Sequence, residues 1–156
     1  NVVPVDLPLD ILYEDEDILI VNKPQDMPVH PSKGHPEDSL ANIVASFYSQ
    51  NGKTFAFRCV TRLDKNTSGV VVIAKNSFAH HILSEQIKLG TLKRKYIALV
   101  YGVIKNETGT IDAPIGRDPK DRKKMTVTAQ NSKEAITHLK VLMIIIQALI
   151  VNHQRK

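Results

Sequence analysis

Between Thr61 and Gly69 the chain reads Thr-Arg-Leu-Asp-Lys-Asn-Thr-Ser-Gly, a carboxylate set between Arg62 and Lys65 just ahead of an apolar run. Opposite charge nearby favours the ionised form of an acid. An ionised and positioned aspartate has two chemical uses, as a nucleophile toward carbon or as a base toward a proton. Thr67, Ser68 and Gly69 supply the tight turn that would fix it. The plain alternative is a loop aspartate in a surface ion pair, which does no chemistry.

A second chemical signal is spread over a longer stretch. The net charge of +5 is uneven, with 4 bases against 9 acids in residues 1–60 and 17 bases against 7 acids in residues 61–156. Such a basic second part points to a polyanionic partner, with a solvated surface as the alternative. Its densest group is Arg117, Lys120, Arg122, Lys123 and Lys124, placed to contact a nucleic-acid backbone or to face water. The histidines show no metal-ligand spacing with cysteine or acids, and His80 and His81 are helix neighbours that diverge. No metal site is expected. Cys59 has no base partner in the sequence and reads as a buried structural thiol. As the single cysteine it has no disulfide partner in the chain, which favours a reducing compartment and a cytoplasmic location.

These residues need a scaffold, and the 156 residues, 42% apolar and 24% charged, have the composition of one globular domain. The opening stretch, Asn1 to Asp10, carries acids and prolines rather than a signal peptide. The longest apolar run, Val141 to Val151, is broken by Gln147 and too short for a membrane span. Ile18 to Val21 reads as a buried strand. Pro24, Pro28, Pro31 and Pro36 then punctuate an extended loop. Ser39 caps a helix that runs to about Ser49, with Leu40, Ile43, Val44 and Phe47 at helical spacing. Val70 to Ala74 is β-branched and reads as a central strand. Asn76 or Ser77 caps a second helix that presents Ala79, Ile82, Leu83 and Ile87 and stops at Gly90. Leu92 to Tyr101 alternates and is expected to form a long strand. A short strand over Gly109 to Ala113, a polar loop or hairpin over 114–134, and strand-like composition from Ala135 to Val151 complete the chain. The sum is a mixed α+β fold, mainly antiparallel sheet with flanking helices and no regular βαβ alternation.

The segment from Thr61 to Lys75 resembles the signature of the RluA-type RNA pseudouridine synthases: His-Arg-Leu-Asp, two variable positions, Thr-Ser-Gly, an aliphatic run and Ala-Lys. The likeness extends to Asp17–Pro24 with Val29-His30-Pro31, to Lys95–Gly102, to Pro114–Arg117 with Asp121–Met125, and to Ala135–Val141. It covers about residues 10–142 in order. The resemblance implies an enzyme that isomerises uridine to pseudouridine within ribosomal or transfer RNA without metal or cofactor. It assigns Asp64 as the nucleophile, attacking the sugar C1′ or the base C6. It assigns Tyr96, on the strand after Leu92, to pack against the target base, and Arg62 to hold the flipped nucleotide out of the stack, an extrusion that costs a few kcal/mol. The basic group from Arg117 to Lys124 then faces RNA.

Two departures qualify what the resemblance implies. Thr61 stands where the family usually has histidine; threonine can hydrogen-bond but cannot carry charge, so a local interaction with RNA or the loop is expected to differ. Beyond Lys140 the family's Gly-Arg-Thr-His-Gln-Ile-Arg type motif, with a basic partner for the aspartate, is replaced by Met143 to Val151 and a close at Asn152-His153-Gln154-Arg155-Lys156. The expectation is a single catalytic domain over 1–156, incomplete at its C-terminus, in a family that often has a small RNA-binding domain in front. Exposed strand edges would then favour self-association, and oligomeric state is left open. An RNA-binding module without turnover is the competing reading, and an incomplete domain that neither binds nor reacts well is a third.

Overall fold

A computed structural model of the chain describes residues 2–52, 55–121 and 124–143. It divides into two compact units, Asn1–Tyr96 and Ile97–Lys156.

The first unit is a four-stranded antiparallel sheet with two helices. Strands β1 (Ile11–Glu14), β2 (Ile18–Lys23), β3 (Arg58–Cys59) and β4 (Gly69–Ala74) lie in the order β1-β2-β4-β3. The two apolar runs foreseen as strands are its inner pair, in register from Ile18 opposite Ala74 to Lys23 opposite Gly69. Alternation along each strand sends Leu19 and Val21, and Val71 and Ile73, to one face, where all four are buried. Helix α1 (Leu40–Gln50) covers that face with Leu40, Val44 and Tyr48, and these seven side chains form the core. Removing them from water supplies the stabilisation, at about 25 cal/mol per Å² of apolar surface.

The helix starts where the sequence placed it, and a second residue explains why. Buried Asn42 accepts the Ser39 backbone N–H at 3.1 Å, and its amide donates to the Val3 carbonyl at 2.7 Å and the Pro36 carbonyl at 3.3 Å. The helix entry is thereby tied to the proline loop. Helix α2 (Ser77–Lys88) is capped by Asn76, whose side chain accepts the Ala79 N–H at 2.8 Å. It ends at Gly90, whose φ of +66° suits the left-handed residue after a helix. Of its expected apolar face only Ala79 is buried, while Leu83 and Ile87 are half-buried and Ile82 is exposed.

The second unit consists of short strands. β5 (Thr108–Asp112) pairs with β9 (Ile136–Lys140), while β6 (Ile115–Arg117) lies between β7 (Met125–Val127) and β8 (Ser132–Lys133), all antiparallel. The polar stretch 114–134 is thus a hairpin with a third strand. The strand expected from Ala135 ends at Lys140, and its continuation past Met143 lies outside the described residues.

One expectation fails. Leu92 to Tyr101 is not a strand, and residues 91–107 contain no helix or strand. Alternation gives a segment two faces, but a strand exists only when a neighbouring backbone accepts its hydrogen bonds. Among the described residues no strand pairs with this one, and Tyr96, Ile97, Leu99 and Val100 are all exposed. Among the described residues no helix is long and apolar enough to cross a membrane.

Candidate active site

The segment carrying Asp64 leaves and rejoins the sheet at fixed points. Val60 donates its N–H to the Val72 carbonyl at 2.9 Å, and the Thr61 hydroxyl accepts the Val72 N–H at 3.3 Å. The chain returns at Gly69, whose φ of +124° is open to glycine alone without strain. Between these anchors the Thr67 N–H donates to the Asp64 carbonyl at 3.1 Å, closing a four-residue turn with Lys65 and Asn66 at its corners. Asp64 sits at the head of that turn with its side chain exposed. A carboxylate so placed is open to a large substrate while its backbone is held.

Thr61 itself is buried and hydrogen-bonded to β4. Its side chain serves the sheet, which gives a neutral hydroxyl a structural use at this position.

Lys23, at the end of β2, is the site residue the sequence reading overlooked. It is fully buried, and its ammonium donates to the carbonyls of Pro24 at 2.9 Å, Met27 at 2.7 Å and Lys65 at 3.1 Å. Three donors meet three acceptors, so the buried charge is solvated by backbone. Burial lowers its pKa, while the negative charge of Asp64 works the other way. Lys23 therefore lies beneath the turn, within the field of the Asp64 carboxylate. Its signal was present: in Leu19-Ile20-Val21-Asn22-Lys23 the inward positions are Leu19, Val21 and Lys23, and a lysine on the core face has to be matched there.

Lys65 has its own acid partner, Asp26, at 3.1 Å. Asp26 adopts φ +65°, a left-handed conformation that aspartate tolerates better than most residues. The cation at the corner of the turn thus reaches back to the proline loop.

Arg62 is exposed, two residues before Asp64. Its charge is felt by two neighbours. The His30 imidazole has its pKa lowered by burial and then by Arg62, and the ring stands edge-on to Phe57 with centroids 5.1 Å apart. The Cys59 thiol is pushed up to about 11 by burial, which Arg62 partly opposes, and it donates to the Thr61 carbonyl at 2.8 Å. Cys59 packs against the core, in keeping with a structural thiol.

The remaining expected site residues lie elsewhere in the chain. Tyr96 closes the first unit in an irregular segment, 59% exposed. Arg117, Lys120 and Lys124 are exposed in the second unit. There the Asp118 carboxylate accepts the N–H groups of Lys120 at 2.7 Å and Asp121 at 3.2 Å, shaping the loop after β6. Lys124 pairs with Asp121 at 3.5 Å across that loop. Arg122 and Lys123 lie outside the described residues. Among the described residues no group of three His, Cys, Asp or Glu side chains is placed to hold a metal ion.

Comparison with known proteins gives this arrangement a lineage. The profile of the RNA pseudouridylate synthase family matches residues 17–149. The uncharacterized RNA pseudouridine synthase YlyB of Bacillus subtilis strain 168 is 49% identical over 142 residues, covering 89% of this chain and 46% of that protein. The ribosomal large subunit pseudouridine synthase D of Escherichia coli K12 is 40% identical over 139 residues, covering 89% of this chain and 42% of that protein. Among solved structures, human RNA pseudouridylate synthase domain containing 1 superimposes with a TM-score of 0.71 at 26% identity, covering 86% of this chain and 52% of the human one. The chain spans about half the length of the curated relatives it matches.

Proposed function

This chain belongs to the RNA pseudouridylate synthase family, and on that premise we propose that it isomerises uridine to pseudouridine in RNA with Asp64 as the nucleophile. The observation that carries the reading is the solvent-facing Asp64 carboxylate on a turn anchored at both ends to β4 and supported from below by Lys23.

Isomerisation breaks the N1–C1′ glycosidic bond and forms a C5–C1′ bond to the same ribose. C5 gives up its proton and N1 takes one, so atoms and electrons balance without an outside reductant or oxidant. Loss of the base leaves an electron-poor sugar carbon, and a carboxylate serves either as its covalent partner or as its counter-charge. Attack on C6 of the uracil is the other route open to the same carboxylate. The base has to be out of the RNA stack for either to occur. Arg62, exposed next to Asp64, is assigned to the space left by the flipped nucleotide, where a guanidinium can stack or bind phosphate. Tyr96 is assigned to pack against the uracil, and Arg117, Lys120, Arg122, Lys123 and Lys124 to contact the RNA backbone. The Escherichia coli relative is named for the large ribosomal subunit, which supports ribosomal RNA as substrate, with transfer RNA as the second candidate. The setting proposed is the cytoplasm, where a thiol with no disulfide partner in this sequence stays reduced.

The test is nucleoside analysis of ribosomal and transfer RNA after incubation with the protein. The parent protein is expected to raise the pseudouridine content of one of them, and Asp64→Asn, which keeps shape and removes charge, is expected to raise neither. Equal product from the Asn variant would remove the assignment.

A further inference from the structure

The turn that carries Asp64 is gripped twice, once from the end of β2 and once from the loop between β2 and α1. Lys23 holds its backbone through the Lys65 carbonyl. The second grip is made of side chains. The Lys65 ammonium, bonded to Asp26 at 3.1 Å, also reaches the Nε2 of His35 at 3.2 Å. The other ring nitrogen of His35, Nδ1, lies 2.5 Å from the Asp38 carboxylate. An ammonium can only donate, so Nε2 has to accept and Nδ1 has to carry the proton toward Asp38. One tautomer of a neutral imidazole satisfies both contacts. The ring contact holds the Asp38 carboxyl below its usual range.

The backbone under His35 is built for presentation. His35 and Ser32 exchange both backbone hydrogen bonds, at 2.8 and 3.0 Å, around Gly34 with φ +88°. This small closed loop does not depend on the imidazole. Each link in the side-chain relay is partly exposed, with Asp26 and Asp38 mostly open to water. Exposed pairs of this kind add about 0–1 kcal/mol to stability. Their use is geometric, since two acceptors on one loop, the Asp26 carboxylate and His35 Nε2, fix one flexible lysine.

We propose that His35 is a positioning residue: relayed by Asp38 and aided by Asp26, it anchors Lys65 and thereby orients the turn that presents Asp64 to RNA. The proposal rests on the reading of Asp64 as the nucleophile for its effect on turnover, although the anchoring itself does not. A carboxylate that has to meet a ribose carbon gains rate from such orientation, because misplacement by about 1 Å costs up to ~100-fold.

His35→Leu and His35→Gln separate the roles. Leucine removes the acceptor, whereas the glutamine amide keeps one oxygen for Lys65 and one N–H donor for Asp38. Two readouts are taken on the full chain: kcat and KM on RNA, and hydrogen exchange of the Thr67 amide, whose bond to the Asp64 carbonyl closes the turn. His35→Leu is expected to lower kcat about fivefold with KM unchanged, a loss equal to one exposed contact of ~1 kcal/mol, and to speed Thr67 exchange. His35→Gln is expected to stay near the parent in both. Unchanged Thr67 exchange and kcat in His35→Leu would overturn the proposal, as would equal damage from both variants. If the parent protein makes no pseudouridine, the proposed function fails, and Thr67 exchange alone still decides the anchoring.

Discussion

Lys23 carries its charge where few lysines do, on the core face of a strand, solvated among the described residues by three backbone carbonyls. Lys23→Met keeps most of the volume and strands those carbonyls. It is expected to cost about 2–4 kcal/mol in urea denaturation at neutral pH, more than a surface lysine substitution would. A half-buried titratable group near the site has the opposite pH signature. The Cys59 thiol rises from its ordinary 9.0 to about 11 in the fold. Between those values the unfolded chain has released a proton that the folded chain still holds. The thiol's contribution is therefore complete below pH 9 and is lost as pH climbs toward 11. Lys23, lowered by burial, sheds its proton early in the folded state and gains stability in the alkaline range. Cys59→Ala separates the two, since its alkaline loss of stability should be smaller than that of the parent protein. Asp64 was singled out as a candidate by its neighbours in sequence, whereas the pairing of Lys65 with Asp26 could not be, because it depends on a left-handed residue 39 positions away.

Strand β4 shows what local pattern can specify. Its β-branched run needs two paired edges, and β2 and β3 supply them. The helices were equally legible, since Ser39, Asn76 and Gly90 are punctuation that acts within one turn. The segment from Leu92 to Tyr101 was misread because strand formation is a property of two chains of backbone, and the second was not in the pattern. In the second unit the packing of β6 turns on one small residue. A Cβ added at Gly116 would fall 2.8 Å from Thr128 Cγ2 and 3.1 and 3.2 Å from the carbonyls of Gln130 and Asn131. Gly116→Ala is expected to destabilise this hairpin by about 1–3 kcal/mol. At Gly109 the added atom meets only the Leu139 side chain at 3.6 Å or more, so Gly109→Ala is expected to be near neutral. Thermal melts of the two variants side by side check the contrast.

For the molecule as a whole, charge is what the sequence described best and what binding should reveal. The excess of bases after residue 60 predicts RNA affinity that falls steeply with salt, each phosphate contact adding about −0.7 to −0.9 to the slope of log K against log salt. The Lys120→Ala, Lys124→Ala double variant is expected to weaken binding and flatten that slope by about 2 in a filter-binding titration. Variants at Asp64 should bind as the parent does and differ only in turnover. The most direct measurement follows from the bond that has to break. RNA labelled with tritium at C5 of uridine gives up its label to water when C5 bonds to the ribose and loses its hydrogen. The account predicts stoichiometric release by the parent protein and none by Asp64→Asn at equal RNA occupancy. Release by the Asn variant at the parent's rate would contradict it.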